Sequence, residues 1–135
     1  MKKRRLRFFL DYGMCFWGID YEDGFYGGMS AKDLSLSLDV QRQVNTFLKE
    51  YGQYYSWGCP PSEGWTVDNC RRFNAEYKRI LNIVTPELAN DFLLCQEQLD
   101  LIEDPEVLAE FYRRPRDVIE ERRTNYYVWK DEFAG

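Results

Sequence analysis

Histidine is absent from this chain, and that excludes the commonest general base and the usual metal ligand together. No GxSxG elbow, GxxxxGKS/T phosphate loop or GxGxxG turn occurs in it. Gly24, Gly27 and Gly28 sit in a turn that lacks the following helix on which phosphate binding depends. Cys15, Cys59, Cys70 and Cys95 form no CxxC pair, so a structural zinc finds no closely spaced ligands. They read as free, small core residues of a reducing compartment. No apolar run approaches the length of a membrane span. The basic opening Met1 to Arg5 leads into an apolar stretch broken by Arg7 and closed by Asp11, too short for a signal-peptide core. The expectation is a cytoplasmic chain with no cofactor, no metal and no membrane contact.

The remaining chemical option is a carboxylate pair, such as Asp11 with Asp20 or Glu97, because two acids suffice for glycoside hydrolysis. With 23 acids in 135 residues, such a pair is easily found by chance. No residue is assigned a catalytic role.

Bases are missing from one long segment. Between Arg79 and Arg113 there are eight carboxylates (Glu87, Asp91, Glu97, Asp100, Glu103, Asp104, Glu106 and Glu110) and no Lys or Arg. This stretch more than accounts for the formal net charge of -5. A solvated face usually mixes both signs, so a one-sided stretch points to a field aimed at a basic partner, and phosphates are disfavoured there. The bland alternative is the solvent side of one strand and one helix. In a strand over Phe92 to Gln98, Leu93, Cys95 and Glu97 share one face, and in the helix that follows Glu106 and Glu110 share a side. The bases Lys2 to Arg7 read as solubilising or sheet-edge charge, in preference to a nucleic-acid arm. Arg113 to Arg123 alternate with acids, as mixed-sign helix pairs do.

Aromatic residues are plentiful, at 17% with ten Tyr and nine Phe. They can build a core, and Tyr and Trp also serve at interfaces. The length fits one domain over residues 1–135. A first strand is expected over 5–12, then an aromatic run from Cys15 to Tyr21, with Glu22 to Gly24 turning it back into Phe25 and Tyr26. Ser37 is placed to cap a helix striped by Val40, Val44, Phe47, Leu48, Tyr51 and Tyr55. The loop from Trp57 to Trp65 holds two adjacent prolines and two glycines, a rigid frame on which either tryptophan could be a binding anchor. Thr66 caps a second helix striped by Cys70, Phe73, Tyr77, Ile80, Leu81 and Val84. Pro86 either ends it or, with Thr85 as cap, starts one further turn. Asp104 and Pro105 open a short helix through Arg113, a further helix is expected over 117–123, and Tyr126 to Trp129 form a last strand or packed segment. The fold class implied is α+β: a small, largely antiparallel sheet with two main amphipathic helices on one face. The core spans about 5–98 and a short helical C-terminal extension covers 99–135.

Several segments together resemble a family of small bacterial immunity proteins associated with polymorphic and contact-dependent growth inhibition toxins. They are Phe9 to Gly13 with Cys15 to Trp17, Phe25 to Gly27, Leu34 to Ser37, and Tyr55 to Trp57 followed by Pro60 and Pro61. Trp65 and Thr66, Phe73 and Asn74, and Glu87 to Phe92 complete the set. The resemblance covers about residues 5–98. Where the family pattern has an acidic segment around a tryptophan before the prolines, this chain has Ser56, Trp57, Gly58 and Cys59.

The resemblance implies a protein that binds and neutralises a cognate toxin domain, often a nuclease with a cationic cleft. An acidic surface can fill such a cleft, and complementary charge speeds association. The toxin-binding set expected on this basis is Glu97, Asp100, Glu103, Asp104, Glu106, Glu110, Trp57 and Trp65. A small regulatory or adaptor protein of phage or mobile-element origin is the alternative, with a carboxylate-based hydrolase third.

Overall fold

The computed structural model of the chain describes residues 3–11, 13–52 and 66–114. In order, these form β1 (Arg4–Asp11), β2 (Met14–Asp20), a single 3-10 turn (Tyr21–Asp23), β3 (Phe25–Met29), α1 (Leu38–Tyr51), α2 (Val67–Leu88), β4 (Phe92–Gln96) and α3 (Pro105–Arg113). The strands lie in the order β3-β2-β1-β4. β1 pairs antiparallel with β2 and parallel with β4, and β2 pairs antiparallel with β3. The architecture is the expected small α+β fold with a mostly antiparallel sheet. The helices expected over 117–123 and the segment 126–129, with Tyr55, Trp57, Cys59 and Trp65, lie outside the described residues.

Alternation on β1 sets the sides of the sheet. Leu6, Phe8 and Leu10 are fully buried, while Arg5, Arg7 and Phe9 point the other way. Val40, Val44 and Phe47 of α1, and Cys70, Phe73, Tyr77, Ile80 and Val84 of α2, close over the buried side in one cluster. Both helices start where their caps demand. Ser37 Oγ accepts from the Val40 N–H at 3.4 Å, and Thr66 Oγ1 from the Asn69 N–H at 3.1 Å. Glu87, near the end of α2, accepts from the Ser37 N–H and hydroxyl at 2.7 and 2.8 Å, which ties the two helices together. Gly52, just past α1, is required by space: a Cβ there would lie 2.4 Å from the Leu48 carbonyl oxygen and 3.2 Å from the Gly13 Cα.

Four expectations are corrected. Pro86 neither ends α2 nor starts a separate turn, since the helix continues to Leu88. Without an N–H, Pro86 cannot donate to the Asn82 carbonyl as a helical residue would, and the buried Leu88 holds the last turn on the core in spite of that loss. The Lys2–Arg7 cluster does not mark a sheet edge, because β1 is an inner strand. Cys15 and Cys70 are core residues as expected, with burial pushing the Cys15 thiol up, but Cys95 is exposed on β4. The core does not stop at residue 98, because Leu101, Ile102, Leu108 and Phe111 join the same cluster.

Two side-chain amides carry the chain from β4 into α3. The pairing with β4 ends at Phe8 while β1 runs on to Asp11, and the buried Gln98 serves part of the uncovered backbone: its Oε1 accepts from the Leu10 N–H at 2.8 Å. The buried Asn74 of α2 donates to the Leu101 carbonyl at 2.9 Å and accepts from the Leu101 N–H at 2.7 Å, a two-point clamp. Asn74→Ala strands both backbone groups of Leu101 out of water, a loss on the order of 2–4 kcal/mol. Urea unfolding should show that loss as a lower midpoint, with amides of 99–111 exchanging fastest; unchanged exchange there would rule out the clamp.

Candidate protein-binding surface

The acidic stretch is largely satisfied by the protein itself. Glu97 is buried, with 6% of its surface exposed, and forms an ion pair with Arg7. Asp100 accepts from the Tyr77 hydroxyl and pairs with Lys78 at 3.3 Å. Glu103 lies 3.6 Å from Arg71 and accepts from Asn74 at 3.2 Å. Asp104 caps α3, accepting from the Glu106 and Val107 N–H groups at 2.8 and 3.1 Å. Glu110 pairs with Arg113 at 2.5 Å and also with Arg114. With Glu87 committed to Ser37, only Asp91 and Glu106 of the eight carboxylates have no side-chain partner among the described residues.

Glu97 is therefore removed from the expected contact set, since a carboxylate under the surface cannot meet a partner. Strand alternation put it beside the exposed Leu93 and Cys95, but β4 ends at Gln96 and Arg7 draws the side chain in. Asp100, Glu103, Asp104, Glu106 and Glu110 lie at or near the surface, mostly as halves of pairs whose charges cancel. Of the three acids suggested for hydrolysis, Asp11, Asp20 and Glu97, two are engaged as well: Asp20 accepts from the Arg5 N–H and Nε at 2.6 and 3.0 Å, and Glu97 holds Arg7.

The other face of the sheet is covered by none of the described elements. It carries Arg5, Arg7 and Phe9 from β1, Trp17 and Ile19 from β2, Tyr26 from β3, and Leu93 and Cys95 from β4. A solvated sheet face is normally polar; this one is aromatic. Phe9 and Trp17 stack at 5.3 Å, the Trp17 Nε1–H donates to the Phe9 carbonyl at 3.0 Å, and the Arg7 guanidinium lies 4.7 Å above the Phe9 ring. Arg7 is in turn fixed by Glu97, so the acid acts as a strut for the aromatic face. Tyr26 and Leu93 remain 58% and 52% exposed, and Tyr21, at 72%, stacks on Tyr26 at 5.4 Å. Aromatic residues and arginine are the side chains that mark protein interfaces.

Sequence reading did not select these residues. β1 and β2 carry large apolar groups on both sides, so alternation does not separate the core side from the open one. The available signal was the excess of aromatics in 8–26 over what one face of a sheet can bury.

Compared with protein-family models and with curated proteins, the chain matches none.

The Glu110 carboxylate is held below the usual range by hydrogen bonds from Arg113 and then Arg114. Its contribution to α3 is present at neutral pH and fades as pH falls through that lowered midpoint. Carbon-detected NMR of Arg113→Gln should show the Glu110 midpoint moving up toward the ordinary carboxylate value. An unmoved midpoint there, and again when Arg114→Gln is added, would mean that neither arginine holds the carboxylate.

Proposed function

We propose that this chain is a non-catalytic immunity protein that acts in the cytoplasm and neutralises a basic toxin domain by binding it. The observation that carries the reading is the sheet face that none of the described elements covers, where Tyr26 and Leu93 are exposed and the partly buried Phe9 and Trp17 stack on each other. Contiguous apolar surface left in water is costly, and on soluble proteins it marks places where another macromolecule sits. The resemblance to immunity proteins supports the same reading, because Phe9, Trp17 and Tyr26 fall within the segments that carry it.

The internal pairing shifts the binding energy away from the acidic stretch. An ion pair closed within the protein projects little field, so Asp100, Glu103 and Glu110 contribute less to steering than their number suggests. Asp91, Asp104 and Glu106, which have no ion pair among the described residues, supply with the overall charge of -5 what attraction a basic domain feels at a distance. Affinity comes from the aromatic face.

Two variants test this without touching the core. Tyr26→Ala and Leu93→Ala each remove exposed side chains, and each should weaken toxin binding by about tenfold or more while unfolding stability stays unchanged. Co-expression with the toxin encoded beside the gene should protect cells, and the double variant should not. An intact chain that fails to protect removes the immunity assignment, whereas protection by the double variant removes the open face as its basis.

A further inference from the structure

We infer that the turn joining β2 to β3 is a docking point for an arginine side chain of the partner, held between the Tyr21–Tyr26 pair and the carboxylates of Glu22 and Asp23. The inference rests on the reading above for the source of the arginine, and on the turn itself for its chemistry. Tyr21, Glu22 and Asp23 form one 3-10 turn, closed by Gly24 at φ 73, whose N–H donates to the Tyr21 carbonyl at 3.1 Å. A residue without a Cβ adopts that backbone conformation without strain, and the Gly24–Tyr21 hydrogen bond closes the turn. That shape lays Tyr21 on Tyr26 with ring planes 27° apart and leaves both rings mostly in water. Two preset aromatic faces thus stand at the rim of the open sheet face, and little side-chain freedom is lost when a ligand covers them.

The charge beside the rings selects the ligand. Glu22 and Asp23 are exposed and have no ion pair among the described residues, unlike most acids of the 87–110 stretch. Three bases also stand near the turn; one is paired with an acid, and the other two keep their charge but are engaged elsewhere. Arg5 is held by Asp20, Lys3 donates to the Ala89 carbonyl at 2.7 Å, and the Arg4 guanidinium lies 5.1 Å from the centre of the buried Phe25 ring. A cavity of about 380 Å³ opens between the turn and the start of β1, with Tyr21, Glu22 and Asp23 on one side and Lys3, Arg4 and Arg5 on the other, large enough for a side chain to enter beside Tyr21. A guanidinium is planar and weakly hydrated. It can lie on a tyrosine face while its edge donates to two carboxylates, which a compact ammonium does less well.

The test is an NMR titration of the whole chain with acetyl-Gly-Arg-Gly-Arg-Gly-amide and with its lysine and citrulline counterparts. The arginine peptide should produce saturable shifts centred on Tyr21, Gly24 and Tyr26. The lysine peptide should bind several-fold more weakly, and the neutral citrulline peptide should produce no shifts. Tyr21→Ala and the pair Glu22→Gln with Asp23→Asn should each reduce affinity about five- to twentyfold. Both sites are exposed, so folding is spared. Absence of shifts at millimolar peptide, shifts spread over the acidic surface and indifferent to Tyr21→Ala, or equal binding of the lysine peptide would each overturn the site. No toxin enters the experiment, so a negative result leaves the immunity reading standing, and failed protection in cells leaves this result unaffected.

Discussion

Leu6, Phe8 and Leu10 on the inner strand have no contact with solvent, and the residues between them face the opposite way. A slip of one residue in the pairing of β1 would exchange the two sets. It would bring Arg5 and Arg7 under the helices and put Phe8 in water. That penalty holds β2 and β4 in register, sets which side the helices cover, and presents Arg7, Phe9 and Trp17 together on the other side. The core and the candidate binding surface are two consequences of one alternating strand.

Charge along the chain proved to be a poor guide to charge in space. The segment from 80 to 112 contains no base, yet Arg7, Arg71 and Lys78 come to it from β1 and α2, and Arg113 and Arg114 fold back on Glu110 from the end of α3. The absence of bases in that segment reflects division of labour between elements more than a field kept for a partner. Exposed pairs of this kind add little stability each. Their main effect is to tie 97–110 to α2 and to quiet its potential.

Local signals were read well where physics is local. Ser37, Thr66 and Asp104 cap the helices they were expected to cap, and the stripes of α1 and α2 are the ones that face the core. Gly24 turns the chain where a turn was expected. What was not legible depended on distant partners: the burial of Glu97 by Arg7, the clamp from Asn74 to Leu101, and the core status of Leu108 and Phe111. The candidate surface was missed for a related reason. Trp17 beside glycine reads as packing, and only the register across three strands shows that Trp17, Phe9 and Tyr26 share a side.

The parallel pairing of β1 with β4 also bears on how the molecule is made. The Arg7–Glu97 pair joins groups 90 positions apart in the chain, and both long helices intervene. As the polypeptide leaves the ribosome, β1 can find β2 almost at once but must wait for its second neighbour until α1 and α2 have been synthesised. Late closure of so large a loop slows folding and leaves one flank of β1 open to mispairing in the interval. β4, which supplies Leu93 to the sheet face that the described elements leave uncovered, is thus the last strand to join the sheet.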